Sequence, residues 1–177
     1  MKRILLKISG ESLSSELWSI DPKKAEFLVS MIERIQKKWI ELVLVFGGGN
    51  IYRWSSLIAA GVDAADSHNM SMLSTVFNSV TMKNFLEKVG IESIVMDALH
   101  VEFLEKYSAI QARKYMNEGK IVIASSGWGT PFFTTDTTWV LRALETYCDC
   151  MVKLTKVNGV YDADPVSNPN AQKYDTL

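Results

Sequence analysis

Short apolar runs, several rich in β-branched residues, alternate along the chain with longer stretches whose apolar positions recur at helical spacing. Residues 3–9 (RILLKIS), 42–46 (LVLVF), 93–96 (SIVM), 120–125 (KIVIAS) and 150–154 (CMVKL) read as strands. Between them, 22–38, 70–88, 101–117 and 136–147 read as helices. The first helix has the clearest signal. Ala25, Phe27, Leu28, Met31, Ile32 and Ile35 keep the helical period, Asp21 stands at the N-cap position and Pro22 in the first turn. The tail from Asn158, rich in Asp, Asn and Pro, reads as turn and loop.

Strand followed by helix, repeated, predicts an α/β fold: three layers, α/β/α, around a mainly parallel sheet, with residues 1–177 as a single domain. In such sheets ligands sit beyond the carboxyl ends of the strands. That rule selects Ser9-Gly10, Gly47 to Asn50, Ser125 to Gly129 and Thr155-Lys156. These segments are rich in Gly, Ser, Thr and Lys, residue types that hold phosphate.

Composition narrows the partners. Of 177 residues, 19 are Lys or Arg and 20 are Asp or Glu, so the net charge of −1 offers no global basic field for nucleic acid. An anion must be held locally, by a few placed groups. The two cysteines, Cys148 and Cys150, and only two histidines cannot build a zinc site of the usual kind, and no protein-held metal is expected. The apolar run Ile4 to Leu6 is too short for a signal peptide or a membrane span, which predicts a cytoplasmic protein without a membrane partner.

Four stretches carry candidate chemistry. Lys7, in a strand otherwise made of Ile and Leu, is costly to bury unless it meets an anion; the alternative is a lysine snorkelling from an edge strand. Gly10 lets the backbone approach a ligand. Gly47-Gly48-Gly49 directly after LVLVF can point several N–H groups one way as an anion nest, or serve as a flexible turn. Neither GxxxxGK[ST] nor GxGxxG is spelled, so neither the P-loop nor the dinucleotide class fits. The run Gly127 to Asp136 brings two Thr and an Asp to the start of a helix, where hydroxyls and free N–H groups meet anions. In the fourth stretch, after the fifth strand, Tyr161 offers a face for a purine, although DADP alone reads as a polar turn.

Taken in order, KISGE, FGGGNIYR, NMSMLSTVFN, GTPFFTTDT and LTKVNGVYDADP…NP…KYDTL resemble the bacterial uridylate (UMP) kinases of the amino acid kinase family, from residue 2 to the end of the chain. The PFFTTDT and KVNGVYDADP runs mark that group, whereas the glycine turn and the first-strand Lys are shared more widely. The resemblance implies transfer of the ATP γ-phosphate to UMP, in pyrimidine nucleotide synthesis, by a cytoplasmic homohexamer, with the 70–81 helix in the assembly region. By position, it places Lys7, Ser9, Gly10, Gly49, Arg53, Thr155, Tyr161 and Asp164 on ATP. It places Gly48, His68, Trp128, Gly129, Thr130, Pro131, Phe132, Phe133, Thr134 and Thr135 on UMP. Lys7 and Asp136 would be catalytic, and Mg²⁺ would arrive on the nucleotide rather than in a protein cage.

The chain departs from the group at several of these positions. His68 stands where an Asp bonds the UMP ribose, with Asp66 two residues earlier as a substitute; Trp54 replaces a Gly, Trp128 a Thr and Thr130 an Asn. An indole in place of Thr is expected to fill acceptor space or stack on a base. Members of the group also continue past the KYDTL match, so the C-terminal strands and helix are expected to be missing. These departures support a second reading: a nucleotide-binding relative, weak in catalysis, with a regulatory or structural role in a hetero-assembly.

Overall fold

The computed structural model describes residues 2–133, 135–155, 157–163, 165 and 168–176. Six strands form one sheet: β1 (Lys2–Ile8), β2 (Ile40–Phe46), β3 (Ser93–Asp97), β4 (Glu105–Lys106), β5 (Ile121–Ser125) and β6 (Cys150–Leu154). Their order is β4-β3-β5-β2-β1-β6, and every strand pair is parallel. Among the described residues the five α-helices are α1 (Pro22–Gln36), α2 (Trp54–Ala59), α3 (Ala64–Lys88), α4 (Ala109–Asn117) and α5 (Thr135–Glu145), and a short 3-10 helix spans Gly10–Ser12.

Alternation along each strand sends side chains to opposite faces, and both faces are covered. Leu6, Ile8, Leu42, Leu44 and Phe46 pack with Leu28 and Ile32 of α1 and Met82 and Leu86 of α3. On the other face Leu5, Val43, Val45 and Val122 pack with Ala112 and Met116 of α4 and Ala143 of α5. These two cores give the three expected layers. Each fully buried Leu, Ile or Val side chain stabilises the fold by about 1.5–3 kcal/mol before entropy is counted.

The α1 start matches its sequence signal: Pro22 is the first helical residue, and the Asp21 carboxylate accepts from the Lys23 and Lys24 amides. Three boundaries differ from expectation. Helix α3 begins at residue 64 rather than 70, because Asp63 caps it by accepting from the Ala65 and Asp66 amides at 2.8 and 3.1 Å. The extra turn carries His68. The segment expected as a helix over 101–117 is helical only from 109, where the extended Ser108 is the N-cap. Before it, Glu105 and Lys106 pair with Met96 and Asp97 as the short edge strand β4, and the Asp97 carboxylate accepts from the Val101 amide at 2.9 Å. The third is α2, one and a half turns after the glycine turn, which lacks the length for a periodic signal. Among the described residues of the tail, the only pairing is an isolated bridge from Tyr161 to Lys173. No helix of the described residues is long and apolar enough to cross a membrane.

Candidate active site

β1 lies between β2 and β6, so Lys7 is on an interior strand and the edge-strand reading fails. Its side chain is 8% exposed and its ammonium pairs with the Asp136 carboxylate at the start of α5. Lys153 of β6, in register beside Lys7, reaches the same Asp136 oxygen at 3.0 Å. Two cations therefore share one carboxylate. Burial pushes the Lys7 ammonium below its ordinary 10.5 despite the attraction of Asp136, and the nearby Lys153 charge adds to the fall. Burial alone would raise the Asp136 carboxyl, but hydrogen bonds and charge from Lys7 and Lys153 outweigh it and hold the group below 3.8. The excess positive charge at the end of β1 and β6 suits an incoming polyanion.

The turn after β2 is held tightly. A Cβ on Gly48 would lie 2.6 Å from the Ser71 carbonyl oxygen of α3, and one on Gly10 would lie 2.6 Å from the Gly47 carbonyl oxygen. Neither position has room for a side chain. Buried Asn78 of α3 donates to the Gly47 carbonyl at 2.6 Å and exchanges amide hydrogen bonds with Asn50 at 2.7 and 3.0 Å. Among the described residues, the Gly48 and Gly49 amides donate no backbone hydrogen bond, as an anion nest requires. Arg53 lies above the turn, ion-paired with Glu11.

The loop from Ser126 to Phe133, after β5, is pinned from several sides. The fully buried Asp97 carboxylate accepts from the hydroxyls of Ser125 and Ser126, and the Ser126 amide donates to the Thr75 hydroxyl of α3 at 2.8 Å. His68, 8% exposed, stacks on Trp54 of α2 with ring centroids 4.8 Å apart, and Phe132 of the loop tilts against its ring at 4.9 Å. Trp128 turns the other way, over the guanidinium of Arg142.

These elements enclose a cavity of about 410 Å³ at the carboxyl ends of β1 and β2. Of the residues singled out from sequence, Lys7, Ser9, Gly10, Gly48, Gly49 and Arg53 line one part of it, and His68, Phe133, Thr135 and Asp136 the rest. Trp54 lines it as well, beside His68. Trp128, Gly129, Thr130, Pro131 and Phe132 do not line it, so the Trp128 indole leaves the space open instead of filling it. Asp66 is exposed in the first turn of α3 and does not reach the cavity wall. Thr155 and Tyr161 line a second cavity of about 640 Å³ beyond β6, which Lys153 also borders. Thr134, Lys156 and Asp164 lie outside the described residues. Sequence reasoning missed Lys153, Asn78 and Thr75. Lys153 carries the signal that singled out Lys7, a lysine near the carboxyl end of an apolar strand; the two α3 residues carry none, because their role depends on which loop reaches them.

A phosphate-sized polyanion entering this cavity would meet paired lysines, open glycine amides and an arginine, which is the equipment of a phosphoryl-transfer site. The model of the amino acid kinase family matches residues 2–177, and the chain belongs to that family. It is 44% identical to a uridylate kinase of Pseudomonas paraeruginosa and 42% identical to one of Brucella anthropi, in each case over 99% of this chain and 73% and 74% of the relative. The crystal structure of a UMP kinase from Ureaplasma parvum superposes with a TM-score of 0.89 at 36% identity, covering 98% of this chain and 75% of that one. A UMP kinase from Bacillus anthracis also superposes with a TM-score of 0.89, at 34% identity.

Proposed function

We propose that this chain transfers the γ-phosphate of ATP to UMP, giving UDP and ADP. The observation that carries the proposal is the Lys7–Asp136–Lys153 cluster, whose Lys7 and Asp136 line the same cavity as the glycine turn, Trp54 and His68. A phosphate oxygen of UMP attacks the γ-phosphorus, the bond from that phosphorus to the bridging oxygen breaks, and the bridging oxygen leaves on ADP. Little covalent work falls to the protein, so catalysis is positioning and charge stabilisation. The Lys7 ammonium neutralises charge on the transferring group. Asp136, held ionised by two lysines, keeps both aimed, and the same pairing makes it a weaker base than an ordinary carboxylate. The glycine turn brings backbone N–H groups to the phosphates. Arg53 exchanges Glu11 for phosphate when the nucleotide enters. UMP occupies the His68 and Phe133 end, and the adenosine of ATP occupies the second cavity against Tyr161 and Thr155.

Mg²⁺ enters as part of the ATP substrate. Among the described residues no three His, Cys, Asp or Glu side chains converge on a point, and Asp136 and Glu11 are committed to cations, so the donor set does not suit a protein-held ion. Assembly into a homo-oligomer, a hexamer as in the group, in the cytoplasm, belongs to the same reading. It is supported by Leu73 and Phe77 standing exposed on α3, with Trp18 exposed near Phe77.

A coupled assay of ADP release with UMP, CMP, dUMP, acetylglutamate and carbamate tests the reaction. UMP should give saturable turnover with Mg²⁺ and the amino-acid-type acceptors none. Turnover with acetylglutamate or carbamate but not UMP would transfer the chain to another branch of the family.

A further inference from the structure

We propose that Arg142 is a positioning residue for the acceptor: from α5, through Trp128 and the Gly127 carbonyl, it fixes the loop whose ends, Gly127 and Phe133, line the cavity. The proposal rests on the acceptor reading above. It begins with the cost of the loop. Four of the seven residues from Ser126 to Phe132 have left-handed backbone: Ser126 at φ 61°, Gly127 at 57°, Gly129 at 76° and Phe132 at 70°. For Ser and above all for Phe that conformation is strained, and it persists only where the surroundings over-determine it. The loop has no regular secondary structure of its own, so its shape must be imposed from outside.

Arg142 imposes it at the start. The residue is 4% exposed, in the last turn of α5. One terminal nitrogen donates to the Gly127 carbonyl at 2.8 Å and the other to Glu145 at 2.8 Å, while Nε has no partner among the described residues. The guanidinium carbon lies 3.5 Å from the Tyr107 ring centroid and 5.3 Å from the Trp128 ring centroid. The guanidinium is thus held between two aromatic rings and hydrogen-bonded to the loop backbone. A buried guanidinium carries a large desolvation cost, and a simple packing role would be served better by an apolar side chain. What an apolar residue cannot supply is the fork that grips a carbonyl while its charge lies over the Tyr107 ring and near the Trp128 indole. At its far end the loop is held by Phe132 on His68, so it hangs between α5 and α3. Arg142 does not line the cavity, and its effect on the acceptor runs through the loop.

The experiment compares wild type, Arg142→Lys and Trp128→Ala by steady-state kinetics, by calorimetry with UMP and with a non-hydrolysable ATP analogue, and by hydrogen exchange. Arg142→Lys keeps the charge and loses the planar fork, so KM for UMP should rise about tenfold or more while KM for ATP stays within about twofold. Trp128→Ala, at a 40%-exposed position that can change without unfolding the chain, should raise KM for UMP about threefold, as the loss of one exposed cation–π contact allows. In both variants the Gly129 amide, bonded to the Ser126 carbonyl at 2.9 Å, should exchange faster, with β1 and β2 unchanged. KM values for UMP and ATP rising together, or loop exchange at the wild-type rate in both variants, overturns the proposal. If wild type binds ATP but not UMP, the acceptor assignment fails, and the Gly129 exchange rate still decides whether Arg142 holds the loop.

Discussion

The two cavities at the carboxyl edge of the sheet are built differently. The first stands on β1 and β2, whose last residues Ile8 and Phe46 are essentially inaccessible; buried Lys7, His68 and Thr75 line it together with the exposed Arg53, Trp54 and Phe133, and buried Asn78 and Asp97 hold its turn and its loop. The second stands on the edge strand β6, where Met151 and Val152 are about 40% exposed, and its lining is mostly apolar, with Leu154, Val157, Val160, Ala163 and Pro165 beside Thr155 and Tyr161. Reaction geometry must hold to a fraction of an ångström, whereas a nucleoside can be gripped by a stacking face and a few hydroxyls. In the proposed reading the packed region supplies the chemistry and the edge supplies affinity. Lys153 links the two: it lines the second cavity, and its ammonium pairs with Asp136, which lines the first.

The sharpest test of that division is Lys7→Ala. Removing the buried ammonium should lower kcat about 10²–10³-fold, the usual loss for one preorganised stabiliser. The melting temperature should hold, because a half-compensated buried charge stabilises little. A kcat within threefold of wild type would put the chemistry elsewhere. Next in size, Gly48→Ala and Gly49→Ala separate crowded from open backbone within one turn. Gly48→Ala forces a methyl against the Ser71 carbonyl and should cost about 1–3 kcal/mol in urea unfolding. Gly49→Ala meets nothing closer than 3.7 Å and should cost less than about 0.5 kcal/mol. Equal losses would mean that the turn is not held by α3.

On the edge side, Tyr161→Ala should weaken ATP binding about tenfold, the value of one stacked base, and leave UMP affinity and the melting temperature unchanged. A parallel loss of UMP affinity would merge the two regions. The smallest effect is in pH. Because burial lowers the Lys7 pKa, rate should fall on the alkaline side at a pH below 10.5. Asp136 raises that pKa, so Asp136→Asn should move the limb lower still; movement upward contradicts the pairing. Asp136 itself, depressed below 3.8, lends stability that is present above that pH and lost as pH falls through its folded value.

How much of this was legible in the sequence follows the same division. The strands and α1 were readable because buried parallel strands are continuous apolar runs and α1 has both a periodic face and a cap. The places of Lys7 and the glycine turn at strand ends were readable, since the sheet rule points there, but position alone left a snorkelling lysine and a flexible turn as alternatives. The helix expected over 101–117 was misplaced in its first half because Leu104, Tyr107 and Ile110 fit a helical period as well as they fit an edge strand and a loop. The tryptophans stood out in the sequence, but their direction was not readable. Trp128 was expected to fill or stack within the acceptor space, and instead it faces Arg142, a partner fourteen positions away that only the packing of α5 brings near. His68 gains its neighbours in the same way, from α2 and from the loop after β5.

The central claim is that one cavity brings Lys7 to the phosphate passing between ATP and UMP. The direct measurement follows label from the γ-phosphate of ATP, with Mg²⁺ and saturating UMP, in wild type and Lys7→Ala. Wild type should form labelled UDP in step with ADP, and the variant at least about 100-fold less. ADP formed without labelled UDP, or equal labelling by both proteins, would contradict the claim.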